Sequence, residues 1–177
     1  MDRDTQAAEF LVDAQWLGQH RGDPAVILID TRAPADYWAG HLAGARHFDP
    51  FPFHHSDTGE AGLREFRGQL EWIFSALGVV PGATVVFYEN DSGMRATRAA
   101  WMLAYAGHPA VRILDGGLKC AGGAQLTTAA AAHAYAQFKA APREEAIAGY
   151  PYIVERLGRP DVRSEERRGG KECRSRW

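Results

Sequence analysis

A short polar loop between an apolar strand and an alanine-rich helix is the part of this sequence best suited to chemistry. The strand is predicted at 84–88 and the helix at 93–105. The polar residues and glycine of the loop and first helical turns are Glu89, Asn90, Asp91, Ser92, Gly93, Arg95 and Arg98. The first N–H groups of the helix would point into the loop and favour an anion or a thiolate there. The loop contains no cysteine, so it lacks a thiolate nucleophile.

The two arginines of this region allow two interpretations. Arg95 and Arg98 lie three positions apart, so they are neighbours on the helix surface. They either help the loop to bind an anion, or they form a solvated or ion-paired face in which Glu89 or Asp91 neutralises Arg95. Catalysis by these carboxylates themselves is disfavoured, because the loop has no neighbouring histidine to complete an acid–base pair.

The elements that would position the loop alternate between strands and helices. The run at 25–30 is continuously apolar, as is typical of a strand buried on both faces of a parallel sheet. Strands are predicted at 10–12, 25–30, 46–48, 84–88 and 111–114, and helices at 13–20, 34–38, 63–77, 93–105 and directly after 117. This order predicts an α/β fold with a doubly wound parallel sheet flanked by helices. Ligands of such sheets bind at the carboxyl ends of the strands, where the 89–93 loop lies.

Other polar residues have structural interpretations. Asp30 ends a predicted strand and can accept loop N–H groups while pairing with Arg32. His41 is expected to be a structural hydrogen-bond partner. Cys120 is expected to pack as a small buried side chain with an inert thiol.

A histidine- and aspartate-rich stretch after residue 46 does not predict a metal site. Its members are His47, Asp49, His54, His55 and Asp57. Their spacing matches no standard zinc pattern, so we interpret them as loop surface. The sequence therefore predicts neither a metal nor a cofactor.

Composition limits the class of protein. The 177 residues are 46% hydrophobic and carry a net charge of −2, which is typical of a globular protein without a preference for nucleic acid. No apolar stretch is long enough to span a membrane, and the charged start has no signal-peptide pattern. The cysteine content favours a reducing cytoplasm.

The last fifteen residues, 163–177, differ in composition from everything before them. They hold six basic and three acidic residues and almost nothing apolar, whereas residues 1–162 carry a net charge of −5. A disordered basic tail would have this composition. We favour a second interpretation, because Arg-Ser-Glu-Glu-Arg-Arg followed by Gly-Lys-Glu-Cys-Arg-Ser-Arg-Trp resembles the translation of a common sequencing adapter. In that case Cys173 has no biological role.

Leu28 to Ala45, Tyr88 to Arg98 and Leu114 to Lys119 hold three motifs that together resemble the rhodanese superfamily. The first is Leu28-Ile29-Asp30-Thr31-Arg32 with Asp36-Tyr37 and Gly40-His41-Leu42-Ala43-Gly44-Ala45. The second is the loop from Tyr88 to Arg98, and the third is Leu114 with Asp115, Gly116, Gly117 and the two residues after them. The family's loop reads Cys-x-x-Gly-x-Arg, which places Asn90 at the cysteine position. Alignment on Tyr88 places Glu89 there instead.

The resemblance implies the N-terminal half of a two-domain thiosulfate or 3-mercaptopyruvate sulfurtransferase. Such an enzyme moves sulfane sulfur to a thiophilic acceptor through a cysteine persulfide, here in a second domain missing from the chain. The implied organisation is a cysteine-less rhodanese-like domain at 9–126, an interdomain linker at 127–143 and the start of a truncated second domain at 144–162. The implied partners are that second domain and small sulfur-containing substrates.

Two alternatives to the sulfurtransferase remain from the sequence. The chain could be a catalytically inactive module that binds an anion or a protein partner. A phosphatase of the cell-cycle type shares the fold, but its phosphoenzyme route is closed without a cysteine. On any of these interpretations we expect the chain itself to be inactive as a sulfurtransferase.

Overall fold

A parallel five-stranded sheet forms the centre of the protein. The computed structural model describes residues 10–54, 56–90, 93–121 and 125–162. The strands are β1 (Leu11–Val12), β2 (Val26–Asp30), β3 (His41–Leu42), β4 (Arg46–His47), β5 (Thr84–Tyr88), β6 (Val111–Leu114) and β7 (Leu126–Thr127). The central sheet has the order β1-β6-β5-β2-β4 with every pair parallel, and β3 pairs antiparallel with β7. The predicted α/β class is confirmed.

The register of the sheet explains why two polar strand ends meet. β5 lies between β2 and β6, and its residues from Val85 to Tyr88 are fully buried, as its apolar run predicts. Asp30, the last residue of β2, pairs with Tyr88, the last residue of β5. The next N–H, that of Thr31, donates to the Tyr88 carbonyl at 2.9 Å. The loops after β2 and β5 therefore emerge side by side at one edge of the sheet.

In the described part of the chain, six α-helices connect or follow the strands. They are α1 (Ala14–Gln19), α2 (Pro34–Ala39), α3 (Glu60–Ala76), α4 (Met94–Tyr105), α5 (Gly117–Cys120) and α6 (Tyr150–Arg156). Helix α3 begins three residues before the predicted start, after an extended Gly59, because helix propensity continues beyond the apolar stripe that set the prediction. Its end agrees better, since Gly78 follows with a φ of 66° that favours glycine.

The segment at 128–143, called the strap below, has no helix or strand, yet it is fastened to the domain. Its main chain donates from Ala136 to the Ser75 carbonyl at 3.1 Å and from Ala141 to the Ala106 carbonyl at 2.9 Å. The Phe138 ring is buried against Phe74, with ring centroids 5.5 Å apart. The strap therefore belongs to a compact unit that continues to Ala146. The hydrophobic pattern of the sequence does not predict that the strap is attached to the domain, because main-chain hydrogen bonds hold most of it.

A second compact unit begins at Ile147. The segment at 144–158 forms one 3₁₀ turn, Glu144–Ala146, and helix α6. Pro151 lies in the first turn of α6, where its missing N–H costs nothing. No residue of α6 is buried in the described part of this unit. Within the described residues of the whole chain, no helix is long and apolar enough to cross a membrane.

Candidate functional site

At the end of β2, Asp30 and Arg32 form a buried ion pair. Asp30 is fully buried, and its carboxylate accepts from the Arg32 main-chain N–H at 2.9 Å and from Arg32 Nη2 at 2.7 Å. The same Nη2 donates to the Gly40 carbonyl at 2.6 Å. Burial lowers the pKa of Arg32, but its hydrogen bond to Asp30 and the charge of Asp30 outweigh burial and raise it. This geometry fits the bracing role predicted for Asp30 and Arg32.

The phenol of Tyr88 links this pair to β3. Its hydroxyl is buried and accepts the Leu42 N–H at 3.1 Å. Burial and the nearby charge of Asp30 raise the pKa of Tyr88 far above its ordinary value. The phenol therefore stays protonated under ordinary conditions, so it holds the loop and cannot act as a base.

His41 also contacts the main chain through both ring nitrogens. The ring is fully buried and stacks on Tyr37 with centroids 3.8 Å apart. Nδ1 lies 2.8 Å from the Tyr37 carbonyl oxygen, and Nε2 lies 3.1 Å from that of Ala129. Both nitrogens are occupied within the protein, which fits the predicted structural role.

The carboxylate of Glu89 occupies the start of helix α4. Glu89 follows β5 directly, is 9% exposed, and accepts the Arg95 N–H on Oε2 at 3.1 Å. A Cβ added to Gly93 would lie 2.0 Å from Glu89 Oε1, so the glycine leaves the space that the carboxylate fills. The main-chain carbonyl of Glu89 accepts the Leu118 N–H at 2.6 Å. An internal carboxylate thus holds the place where the helix N-terminus would favour an anion.

The two alignments of the loop differ in what they place there. Asn90 is exposed, whereas the Glu89 side chain faces the helix start. Both border a cavity of about 200 Å³, lined by Arg32, Ala33, Asp36, Glu89, Asn90 and Arg95. Asp91 and Ser92, which the sequence also suggests for this site, lie outside the described residues.

Arg95 and Arg98 both hold the chain between residues 49 and 54. The Arg95 guanidinium pairs with Asp49 and lies 4.4 Å from the centre of the Phe51 ring. Arg98 Nη2 donates to the Phe53 carbonyl at 2.7 Å. The sequence suggested Glu89 or Asp91 as the partner of Arg95; within the described residues its side chain pairs with Asp49, and Asp91 lies outside them. No spacing rule could have found a partner 46 positions away.

The turn after β6 contacts the 89–93 loop through Gly117. Gly116 and Gly117 have φ values of 71° and 59°, and a Cβ on Gly117 would lie 2.5 Å from the Glu89 carbonyl oxygen. Asp115 donates its N–H to Val12 at 2.8 Å, which ties this turn to β1. The third sequence motif therefore shapes the loop from behind through the main chain.

Two expectations about reactive side chains can be compared with the structure. Cys120 was expected to be buried, but the thiol lies at the exposed end of the four-residue helix α5, so this expectation was wrong. Among the described residues, no group of three or more His, Cys, Asp or Glu side chains could hold a metal ion. His47 in that stretch instead places Nε2 2.9 Å from the Arg32 carbonyl oxygen, and His55 is outside the described residues.

Comparison with known proteins now assigns the class. The model of the rhodanese-like domain matches residues 13–121, and the chain belongs to this family. The chain is similar in structure to SseA from Escherichia coli, whose crystal structure is described as a 3-mercaptopyruvate sulfotransferase with the rhodanese fold. The comparison gives a TM-score of 0.65 at 28% sequence identity. That match covers 83% of this chain and 61% of SseA.

Two curated relatives carry the same enzyme name. Thiosulfate sulfurtransferase of Azotobacter vinelandii is 33% identical over 153 residues, covering 85% of this chain and 56% of the relative. Thiosulfate sulfurtransferase of Pseudomonas aeruginosa is 35% identical over 109 residues, covering 62% of this chain and 40% of the relative. The chain thus spans about half the length of these relatives.

Proposed function

We propose that this chain is the non-catalytic N-terminal part of a two-domain sulfurtransferase of the thiosulfate or 3-mercaptopyruvate type. The names of its relatives support the reaction class, and its partial coverage of their length supports a second domain. Residues 127–143 would be the connection to that domain and 144–162 its beginning. Residues 163–177 would be an adapter-derived sequence, and the whole enzyme would be cytoplasmic.

The observation that carries the non-catalytic role is the position of Glu89. A sulfurtransferase thiolate attacks the outer sulfur of thiosulfate, sulfite leaves, and the enzyme retains a persulfide. An acceptor such as cyanide then takes the outer sulfur and restores the thiolate. A carboxylate cannot form this sulfur–sulfur bond. In this domain a carboxylate, capped by the Arg95 N–H, lies where the thiolate would be stabilised.

In the complete enzyme this domain would then have a structural and wall-forming role. The Asp49–Arg95 pair and the Arg98 contact fix residues 49–54 beside the 89–93 loop. These contacts would give the catalytic domain a rigid surface to face. The substrate would be a small sulfur-containing anion such as thiosulfate or 3-mercaptopyruvate.

Restoring a cysteine tests whether the loop lacks only its nucleophile. Glu89→Cys and Asn90→Cys are compared in a background with Cys120 and Cys173 replaced by serine. After incubation with thiosulfate, intact mass should show one added sulfur atom on Glu89→Cys and none on Asn90→Cys, because residue 89 faces the helix N–H groups. Sulfur on Asn90→Cys alone would favour the other alignment. Sulfur on neither would show that more than the thiol differs from an active loop.

The gene provides an independent test of the second domain. Sequencing genomic DNA past codon 162 should reveal a second rhodanese-like domain with a Cys-x-x-Gly loop. A genuine stop after codon 177, with the tail codons confirmed, would contradict the two-domain proposal.

An inactive module that binds a protein partner is the second candidate. It is favoured by one surface of α4, where Met94 is 77% exposed and Trp101 is 39% exposed. Positions seven apart share a helix face, and exposed apolar patches often mark interaction surfaces. Binding of a hydrophobic dye that falls in Met94→Lys and Trp101→Lys would support a contact surface there. A clean monomer that binds no dye would count against both a missing domain and a partner on this face.

A further inference from the structure

A second cavity lies at the edge of the central sheet opposite to the 89–93 loop. Its volume is about 360 Å³, within the range of roughly 300–1,000 Å³ that is typical of ligand pockets. Three segments line it: the turn before β5 at 81–82, the end of α4 and the turn into β6 at 106–109, and the strap at 137–139. Because β5 and β6 are parallel, the two turns meet at the amino ends of these strands. The cavity is therefore separate from the one beside the 89–93 loop.

Hydrogen bonds hold all three walls of this cavity in place. A main-chain bond of 3.2 Å closes the turn at 80–83, and one of 3.0 Å closes the turn at 104–107. In the strap, Phe138 donates its N–H to Ser75 Oγ at 2.9 Å. The walls are thus formed before any ligand arrives, so binding requires little ordering of the chain.

The interior of the cavity is mainly apolar. Its apolar side chains are those of Pro81, Ala106, Pro109 and Phe138. Among its polar side chains, Lys139 already pairs with Glu71, with 3.6 Å between Nζ and the carboxylate. The lining therefore favours an uncharged ligand whose surface is mostly apolar.

His108 supplies the cavity with one hydrogen-bond acceptor. The side chain is only 4% exposed, and its Nε2 lies 2.8 Å from the Ala83 carbonyl oxygen. Nε2 must carry the proton, since a carbonyl oxygen only accepts. Burial lowers the pKa of His108, so the ring is neutral at about pH 7 and above, and Nδ1 carries a lone pair. Within the described ranges, no group donates a hydrogen bond to this Nδ1.

The Nδ1 atom of His108 is accessible and not enclosed. Among the side chains that the structure describes, the fully enclosed nitrogen or oxygen atoms without a partner are limited to Arg98 Nε. His108 Nδ1 also has no partner, so accessible space must reach it, and His108 lines this cavity. Acceptors on buried side chains are nearly always satisfied in folded proteins. A ligand with a donor group would satisfy this one.

We propose that this cavity binds a small hydroxyaromatic molecule, whose ring packs against the apolar side chains of the lining and whose hydroxyl group donates to His108 Nδ1. An aromatic ring supplies a large apolar contact area, and a phenolic hydroxyl supplies the single polar group that the cavity can match. A ligand without a donor would leave Nδ1 unsatisfied, which costs affinity. The site lies away from the 89–93 loop and does not rest on the proposed function of the chain.

Nitrogen NMR of the histidine rings in the full chain tests the site while phenol is added at about pH 8. Before addition, Nδ1 of His108 should be the unprotonated nitrogen. Its signal should then shift saturably, with a dissociation constant of about 1 mM, as expected for a ligand of so few atoms. Anisole has the same ring but no donor, so it should bind about two- to tenfold more weakly. A protonated Nδ1, no saturable shift, or equal affinity for phenol and anisole would overturn the proposal.

A variant at the edge of the cavity tests where phenol binds. Gln137 is exposed and lines the cavity, so Gln137→Trp should fill part of it and weaken phenol binding at least tenfold. The tautomer of His108 should not change, because its bond to Ala83 is untouched. The matched control Gln19→Trp lies on α1 outside the lining and should bind phenol as the wild type does. Unchanged affinity in Gln137→Trp would place phenol elsewhere and contradict the proposed site.

Discussion

The ends of β2 and β5 carry similar residues but form different environments. Each has an acid at or directly after the strand and an arginine a few residues later. At β2 the acid and the arginine satisfy one another, since Asp30 accepts from both the main chain and the side chain of Arg32. At β5 they separate, because Glu89 caps helix α4 through the Arg95 main chain while the Arg95 side chain pairs with Asp49.

This difference bears on the roles that we propose for the two strand ends. The β2 pair is almost fully enclosed and its two charges satisfy one another, which fits a structural role, although Arg32 also lines the cavity beside the 89–93 loop. The β5 end borders a cavity and presents a helix N-terminus, where the Glu89 carboxylate accepts a hydrogen bond from the Arg95 N–H. An acid and an arginine at a strand end are therefore not a site by themselves. The direction of the side chain relative to the helix N–H groups decides the role.

Replacing Asp30 should have the largest effect. Asp30→Ala leaves the buried Arg32 guanidinium without its carboxylate, which should lower the free energy of unfolding by about 3–5 kcal/mol. Urea denaturation followed by tryptophan fluorescence measures the change. The control Asp49→Ala removes the carboxylate of the more exposed Asp49–Arg95 pair, and it should lower the free energy of unfolding much less. Equal losses would contradict the contrast between the strand ends.

Filling Gly93 should have the next largest effect. The new Cβ of Gly93→Ala would collide with Glu89 Oε1 and should destabilise the domain by about 1–3 kcal/mol. Adding Glu89→Ala should recover part of this loss, because the colliding oxygen is then absent. A double-mutant cycle measures that coupling. Strict additivity would show that Glu89 does not occupy the space beside Gly93.

Removing the charge of Glu89 should have a moderate effect. Glu89→Gln keeps the shape but weakens the hydrogen bond to the Arg95 N–H, so we expect a loss of about 1 kcal/mol. Thermal unfolding measures it. Asn90→Asp is the matched control, since it alters charge at the exposed neighbour. A larger loss of stability in Asn90→Asp than in Glu89→Gln would contradict the assignment of the helix cap to Glu89.

Breaking the Asp49–Arg95 pair should have the smallest effect on stability. Both side chains are partly exposed, so Arg95→Ala should cost no more than about 1 kcal/mol. Amide exchange around residues 49–54 should nevertheless rise, because this pair and Arg98 hold that segment. Unchanged exchange there, with Arg98 intact, would mean that Arg95 does not position the segment.

The sequence predicted the middle of the central sheet because its inner strands are continuous apolar runs. Val26–Asp30 and Thr84–Tyr88 were recognisable from composition alone, and their parallel pairing followed from the intervening helix. The bracing geometry of Asp30 and Arg32 was also predictable, since the two residues lie only two positions apart in the sequence. Such predictions rest on local pattern.

The remaining features depend on contacts that no local pattern shows. Asp49 meets Arg95 only because the fold brings distant segments together. The strap has no hydrophobic period, because main-chain bonds and the single ring of Phe138 fasten it. Glu89 was recognised as one possible occupant of the cysteine position, but its direction towards α4 required the structure.

Cyanide-dependent thiocyanate formation from thiosulfate, measured on the wild-type 177-residue chain, tests the central claim most directly. Because the 89–93 loop contains no cysteine, the chain should show no turnover above a Cys120→Ser control. Turnover above background, or a persulfide mapped to Cys120, would show that this domain carries sulfur itself and would contradict its proposed non-catalytic role.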